Sequence, residues 1–167
     1  MANPLFTTQS QRVLLVTAEP WARNVLSLIS KCTQRSLEVT HAIDGAQGLY
    51  YMSQSIHSGS PYQLLVLTTP LTQLSAERCI EYLRAIEQGL NRPPYPCLLC
   101  SPDETPPALL ARYPQTLHLR VPNSPQAASM VSAGILQIIY TLQAYQKSDE
   151  IARSRSQGST RERGGVR

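Results

Sequence analysis

The sequence predicts an α/β fold: a doubly wound, five-stranded parallel sheet in the order 2-1-3-4-5, covered by helices on both sides. Three observations predict it. Strand-like and helix-like segments alternate through five units with short connections, which implies parallel strands joined by crossover helices. The first, third and fourth strand segments are apolar throughout, as strands covered on both faces are. The second and fifth alternate apolar with polar residues, as partly solvated edge strands do.

Each element has its own signal. Arg12–Thr17 contains the run Val-Leu-Leu-Val and forms the first strand. From Trp21 the positions Trp21, Val25, Leu28, Ile29 and Cys32 share one helical face, and Pro20 suits a first helical turn. Leu37–Ala42 alternates Leu37, Val39 and His41 against Glu38 and Thr40. Asp44 can cap a helix carrying Ala46, Leu49, Tyr50 and Ser53 on one stripe. Gln63–Thr68 is the third strand, and a helix over about Ser75–Gln88 turns Cys79, Ile80, Leu83 and Ile86 inward. Cys97–Cys100 is the fourth strand, followed by a short helix near Pro107–Tyr113. Leu117–Val121 sets Leu117, Leu119 and Val121 against His118 and Arg120. Ser124-Pro125 supplies a cap and first turn for a long helix to about Gln146, with Ala127, Met130, Val131, Ile135, Ile138, Ile139 and Leu142 as its core stripe. The whole is a flavodoxin-like arrangement.

The chain divides into an N-terminal arm (1–10), one folded domain (11–146) and a polar, basic tail (147–167) expected to be disordered from about residue 153. Of the net charge of +4, the tail contributes +3 and everything before it only +1. Runs such as Val13–Val16 and Leu64–Leu67 are far shorter than the roughly 20 apolar residues that span a bilayer. The N-terminal residues lack the basic and apolar regions of a secretory signal, so a cytoplasmic location without membrane association is expected. Cys97-Leu98-Leu99-Cys100 has CxxC spacing, but residues three apart on a strand point to opposite faces and cannot converge on one ion. These two, with Cys32 and Cys79, read as small buried hydrophobes. No metal or other cofactor is expected.

Ligands and catalytic groups in such a sheet sit beyond the carboxyl ends of the strands. Those ends read Thr17-Ala18-Glu19-Pro20, Thr68-Thr69-Pro70, Ser101-Pro102 and Val121-Pro122. Together with Arg12–Asn24, the segment Ala42-Ile43-Asp44-Gly45-Ala46-Gln47-Gly48-Leu49 and the strands Gln63–Thr68, Pro96–Ser101 and Leu119–Pro122, they resemble a bacterial response-regulator receiver domain of the CheY-like superfamily, over about residues 10–146. Transferred position by position, the resemblance implies a dismantled phosphorylation site. The acidic pair that holds magnesium falls on Thr17 and Ala18, with Glu19 one position beyond. The phosphoacceptor aspartate falls on Thr68 and the phosphate-pairing lysine on Val121. Ser101, at the switch hydroxyl, and Pro122 are retained, and the switch aromatic falls on His118.

These replacements remove the chemistry. An aspartyl phosphate needs a carboxylate nucleophile, which a threonine hydroxyl without a base does not replace. Magnesium favours hard anionic oxygens, and a threonine-alanine pair offers at most one neutral one. Nothing then offsets the charge of a transferring phosphoryl group. The first β-α turn, Thr-Ala-Glu-Pro-Trp, has no glycine to cradle a nucleotide phosphate. His41, His57 and His118 are scattered over two strands and one helix end. Thr17, Thr68 and Ser101 are candidates for a small polar pocket holding an anion or water. No catalytic residue is expected.

The predicted role is therefore that of a phosphorylation-independent pseudo-receiver, a protein-protein interaction module in bacterial signal transduction or regulation. Leu136, Tyr140 and Tyr145 add apolar surface on a second side of the last helix and are the candidate interaction surface, for a protein partner or a homodimer. In receiver domains the fourth helix, fifth strand and fifth helix form the signalling face; here the fourth helix is short and flanked by Thr105-Pro106-Pro107. The alternative is a dimeric nucleic-acid-associated regulator that uses its arginine-rich tail.

Overall fold

Alternate residues along the apolar strands belong to two different cores, and this places every element. The computed structural model describes residues 10–32, 37–103, 107–113 and 115–159. The order is β1 (Gln11–Val16), α1 (Ala22–Cys32), β2 (Leu37–Ala42), α2 (Gly45–His57), β3 (Leu64–Thr68), α3 (Ala76–Gly89), β4 (Cys97–Ser101), α4 (Pro107–Arg112), β5 (Thr116–Arg120) and α5 (Ala127–Ser159). The strands form one parallel sheet in the order β2-β1-β3-β4-β5, as predicted. Val13, Leu15, Leu64, Val66, Leu98 and Cys100 meet α1 and α5 on one face. Leu14, Val16, Leu65, Leu67, Cys97 and Leu99 meet α2 and α3 on the other. Cys97 and Cys100 thus lie in opposite cores, as the period of a strand requires.

Local signals set the helix starts. Asp44 accepts from the Gln47 amide at 2.8 Å and Ser75 from the Arg78 amide at 3.3 Å, each satisfying a first-turn donor. Arg84 and the buried Glu87 form an ion pair at 2.8 Å on α3. Glu87 also accepts from the Tyr95 amide and Arg84 donates to the Tyr95 carbonyl, so the pair ties α3 to the approach of β4.

Four expectations are corrected. The inward face of α2 is Gly45, Gly48, Met52, Ser55 and Ile56, with Ala46 and Tyr50 exposed. Glycine without a Cβ lets the helix approach Val16 closely, and that approach, not the stripe of larger apolar residues, sets its rotation. Leu117 is exposed although its neighbour Leu119 packs on the core, because β5 is an edge strand flanked by a short α4. Cys32 is exposed at the end of α1. Finally, α5 does not stop near Gln146 but continues to Ser159. Extending a helix already nucleated by packing costs little per residue, and Asp149 and Arg153 have the favourable i, i+4 order. The arm 1–9, the segment around Thr105-Pro106 and the tail residues 160–167 lie outside the described residues.

Helix α5 is also long and apolar enough to cross a bilayer by length and composition. Its Val131, Ile135 and Ile139 are instead buried against the sheet and α1, which accounts for that composition.

A methyl group on Gly45 would overlap the Leu74 carbonyl oxygen, whereas one on Gly89 meets nothing within 4 Å. Gly45→Ala should lower unfolding stability by about 1–3 kcal/mol in urea denaturation. Gly89→Ala should leave it unchanged or raise it by up to ~1 kcal/mol.

Candidate functional site

β1 and β3 run side by side with Val16 next to Leu67, so the residues that follow, Thr17 and Thr68, end adjacent strands together. Both are buried, and their hydroxyl oxygens lie 2.7 Å apart in a hydrogen bond. Thr17 Oγ1 also accepts from the Glu19 amide at 3.1 Å. The Thr17 carbonyl meets His41 Nε2 from β2 at 2.9 Å. Two neutral hydroxyls therefore occupy the point where the central strands end, and both are engaged.

Beside them Glu19, Thr68, Ser101, Val121, Pro122 and Asn123 line a cavity of about 80 Å³. The structure thus brings together five of the seven residues singled out from the sequence. Thr17 is sealed beneath the cavity and Ala18 is exposed away from it, so Thr17, Thr68 and Ser101 do not form one pocket. Val121 is buried just past the end of β5 and offers only methyl groups. Trp21, Asn123 and His41 are the members that sequence reasoning missed. His41 was legible as a polar residue on an edge strand, but its bond across to Thr17 was not.

Ser101 Oγ donates to the Asp103 carbonyl at 2.5 Å and lies 2.9 Å from His118 Nε2. A hydroxyl has one hydrogen, so with that hydrogen on Asp103 the Ser101 oxygen accepts from an Nε2–H of His118. The histidine is then a donor towards Ser101, the opposite of what activating a nucleophile requires.

His118 also lines a groove of about 650 Å³ between α4, β5 and α5, whose apolar walls include Leu110, Leu117, Leu119, Ile138, Leu142 and Tyr145. The predicted interaction surface is split by this groove. Tyr145, 70% exposed, belongs to it, while Leu136 and Tyr140 do not. Five residues along a helix is a rotation of about 140°, which separates Tyr145 from Tyr140.

Magnesium, which the resemblance implies for an intact site, does not fit these residues. Thr17 Oγ1 is already held by Thr68 and the Glu19 amide, and Ala18 has no side-chain oxygen. Glu19 alone supplies an anionic oxygen to the cavity. Among the described residues no group of three or more His, Cys, Asp and Glu is placed to hold a metal ion.

No protein-family model matches the sequence, and no curated protein matches it. Solved structures do. The response regulator domain of Thermotoga maritima CheB is 17% identical, with a TM-score of 0.55 over 78% of this chain and 94% of that one. The signal receiver domain of the putative response regulator NarL from Mycobacterium tuberculosis is 18% identical, with a TM-score of 0.55 over 78% and 96%. The receiver domain of Francisella response regulator 1452 is 17% identical, with a TM-score of 0.55 over 80% and 98%. The fold of this chain is the receiver fold.

Two measurements check the site. Thr68→Val deletes one hydroxyl of a buried pair and should cost about 1 kcal/mol, with Thr17→Val adding less in its presence than alone. Burial pushes the Cys79 thiol up to about 11 and those of Cys97 and Cys100 up to about 12. Since the thiolate is the reactive form, those three should resist a thiol reagent near pH 8 until the chain unfolds. Only the exposed Cys32 should be titrated in the native protein.

Proposed function

We propose that this chain is a phosphorylation-independent pseudo-receiver: a non-catalytic, cytoplasmic protein-interaction module of bacterial signal transduction or regulation. The observation that carries the reading is the hydrogen bond between the Thr17 and Thr68 hydroxyls. An intact receiver site brings carboxylates together and uses a cation to offset their repulsion. Here the same positions form a neutral contact that is satisfied without any added group. The shape is then kept with no input of phosphate, and binding to a partner is constitutive or answers another cue.

The α4–β5–α5 groove is the surface for that partner. It exposes Leu117 and Tyr145 beside the partly buried Ile138 and Leu142, an apolar strip with aromatic character of the kind that anchors protein partners. The Ser101–His118 bond joins the groove to the cavity at the strand ends, so both keep a fixed relation. The nucleic-acid reading gains less support. The tail's net +3 is spread over residues 147–167, with Asp149, Glu150 and Glu162 interspersed among its six cations. Phosphate backbone binding needs an uncompensated run of cations.

Acetyl phosphate with Mg²⁺ should leave the amide NMR spectrum unchanged; a saturable shift around Thr68 would overturn the phosphorylation-independent reading. Leu117→Arg, at an exposed position, should weaken capture of the native-host protein partner about tenfold or more without lowering Tm. Undiminished capture by this variant would remove the groove from the proposal.

A further inference from the structure

The positive charge of the folded body is concentrated far from the strand-end cavity. A groove of about 740 Å³ between α3 and α4 is lined by Arg78, Arg84, Arg92 and Arg112 against Glu81 and Glu87. That is a net +2 in one place, while residues 1–146 together carry only +1. Pro94 and Tyr113, which also line it, precede β4 and β5, so the groove lies towards the opposite end of the sheet from Thr68.

The charges are arranged and not merely adjacent. Glu87 is buried and consumed by Arg84, and these two form the floor. The buried Nε–H of Arg84 is without a hydrogen-bond partner. Above it the Glu81 carboxylate holds Arg78 Nη1 at 2.9 Å and Arg112 Nη2 at 3.0 Å while accepting from the Tyr113 hydroxyl at 2.8 Å. The Tyr113 hydrogen bond, with the two guanidiniums, holds the Glu81 carboxyl below its ordinary range, so it stays charged. One carboxylate thus orients two guanidiniums from different helices, each using one nitrogen on Glu81. Their side chains are 65% and 69% exposed, which leaves the rest of each donor fork open to the groove. Arg92 is exposed on the same groove, and Gln88 and Asn91 add neutral donors. The volume lies in the range of small-molecule sites.

We propose that this groove is a binding site for a diphosphate group. Planar guanidinium forks match phosphate oxygens in pairs. Arg78 and Arg112, which share the Glu81 carboxylate, and Arg92 beside them leave two positive charges in the groove lining for two phosphoryl groups to neutralise. Arg112 stacked 5.4 Å over the Tyr113 ring gives a flat surface beside them, on which an attached organic group can lie. The diphosphate is supplied either as inorganic pyrophosphate or as a nucleoside diphosphate.

The test is titration of the full chain at low salt with pyrophosphate and, separately, with ADP, followed by calorimetry and by the arginine Nε–Hε NMR resonances. Saturable binding of either, weakened about tenfold by Arg92→Gln or by Arg112→Gln and unaffected by Arg23→Gln at an exposed position of α1, is the expected result. Tighter binding of ADP assigns the nucleotide as the source, and equal affinities assign the diphosphate alone. Tm measured on each variant separates loss of the site from loss of the fold. Absence of saturable binding of both probes up to about 10 mM overturns the proposal. Binding indifferent to Arg92→Gln and Arg112→Gln does so equally. If the two variants instead weaken capture of a protein partner while neither probe binds, the groove is a protein contact and the proposal fails.

Discussion

Every residue of β1 from Val13 onward, and of β3 and β4 up to their last residue, has to serve one of two cores, and this constraint organises the molecule. Val13, Leu15, Val66 and Leu98 fill the layer beneath α1 and α5; Leu14, Val16, Leu67 and Leu99 fill the layer beneath α2 and α3. A buried strand used in this way has no position for a polar side chain, because an unpartnered polar group in either layer would cost more than the burial it displaces. Polar groups are therefore driven to the strand ends. Thr17 and Thr68 meet there because neighbouring parallel strands stop in register, not because they are near one another in sequence.

At those ends the character of the site follows from charge. Carboxylates brought to the ends of adjacent strands repel one another and call for a cation and a lysine. The hydroxyls found here need neither, since each has a partner within the fold: Thr68 with Thr17, Thr17 with the Glu19 amide, Ser101 with Asp103 and His118. Val121 adds apolar bulk that is itself buried. The result is a strand-end region held by short neutral contacts. That arrangement is what the proposed phosphorylation-independent reading rests on, and the reading looks for function on surfaces elsewhere on the fold.

Two such surfaces differ in physical kind. The α4–β5–α5 groove is apolar, with Leu117 and Tyr145 exposed, and suits a protein partner. The α3–α4 groove is cationic and built around Glu81, and suits an anion. Tyr113 lines both, reaching Glu81 through its hydroxyl while its body packs in the core, so the two grooves share one wall. Helix α5 links the sheet to the first groove and then runs on past the body to Ser159.

The sequence by itself determined the five β-α units, the edge positions of β2 and β5 and thus the strand order, since burial on one or two faces is written directly in the period of apolar residues. It also located the strand-end residues, because each follows an apolar run. It did not determine the rotation of α2, where two glycines outrank a stripe of larger side chains by allowing close approach, Gly48 to Val16 and Gly45 to Leu74. Nor did it show the length of α5, since a polar segment on a packed helix extends it although the same composition alone would read as disordered. The Thr17–Thr68 bond, the link from His41, and the meeting of Arg112 with Glu81 of α3 belong to the tertiary structure alone. Those groups lie on different elements, and which side chains meet across elements depends on register and packing that no local pattern encodes.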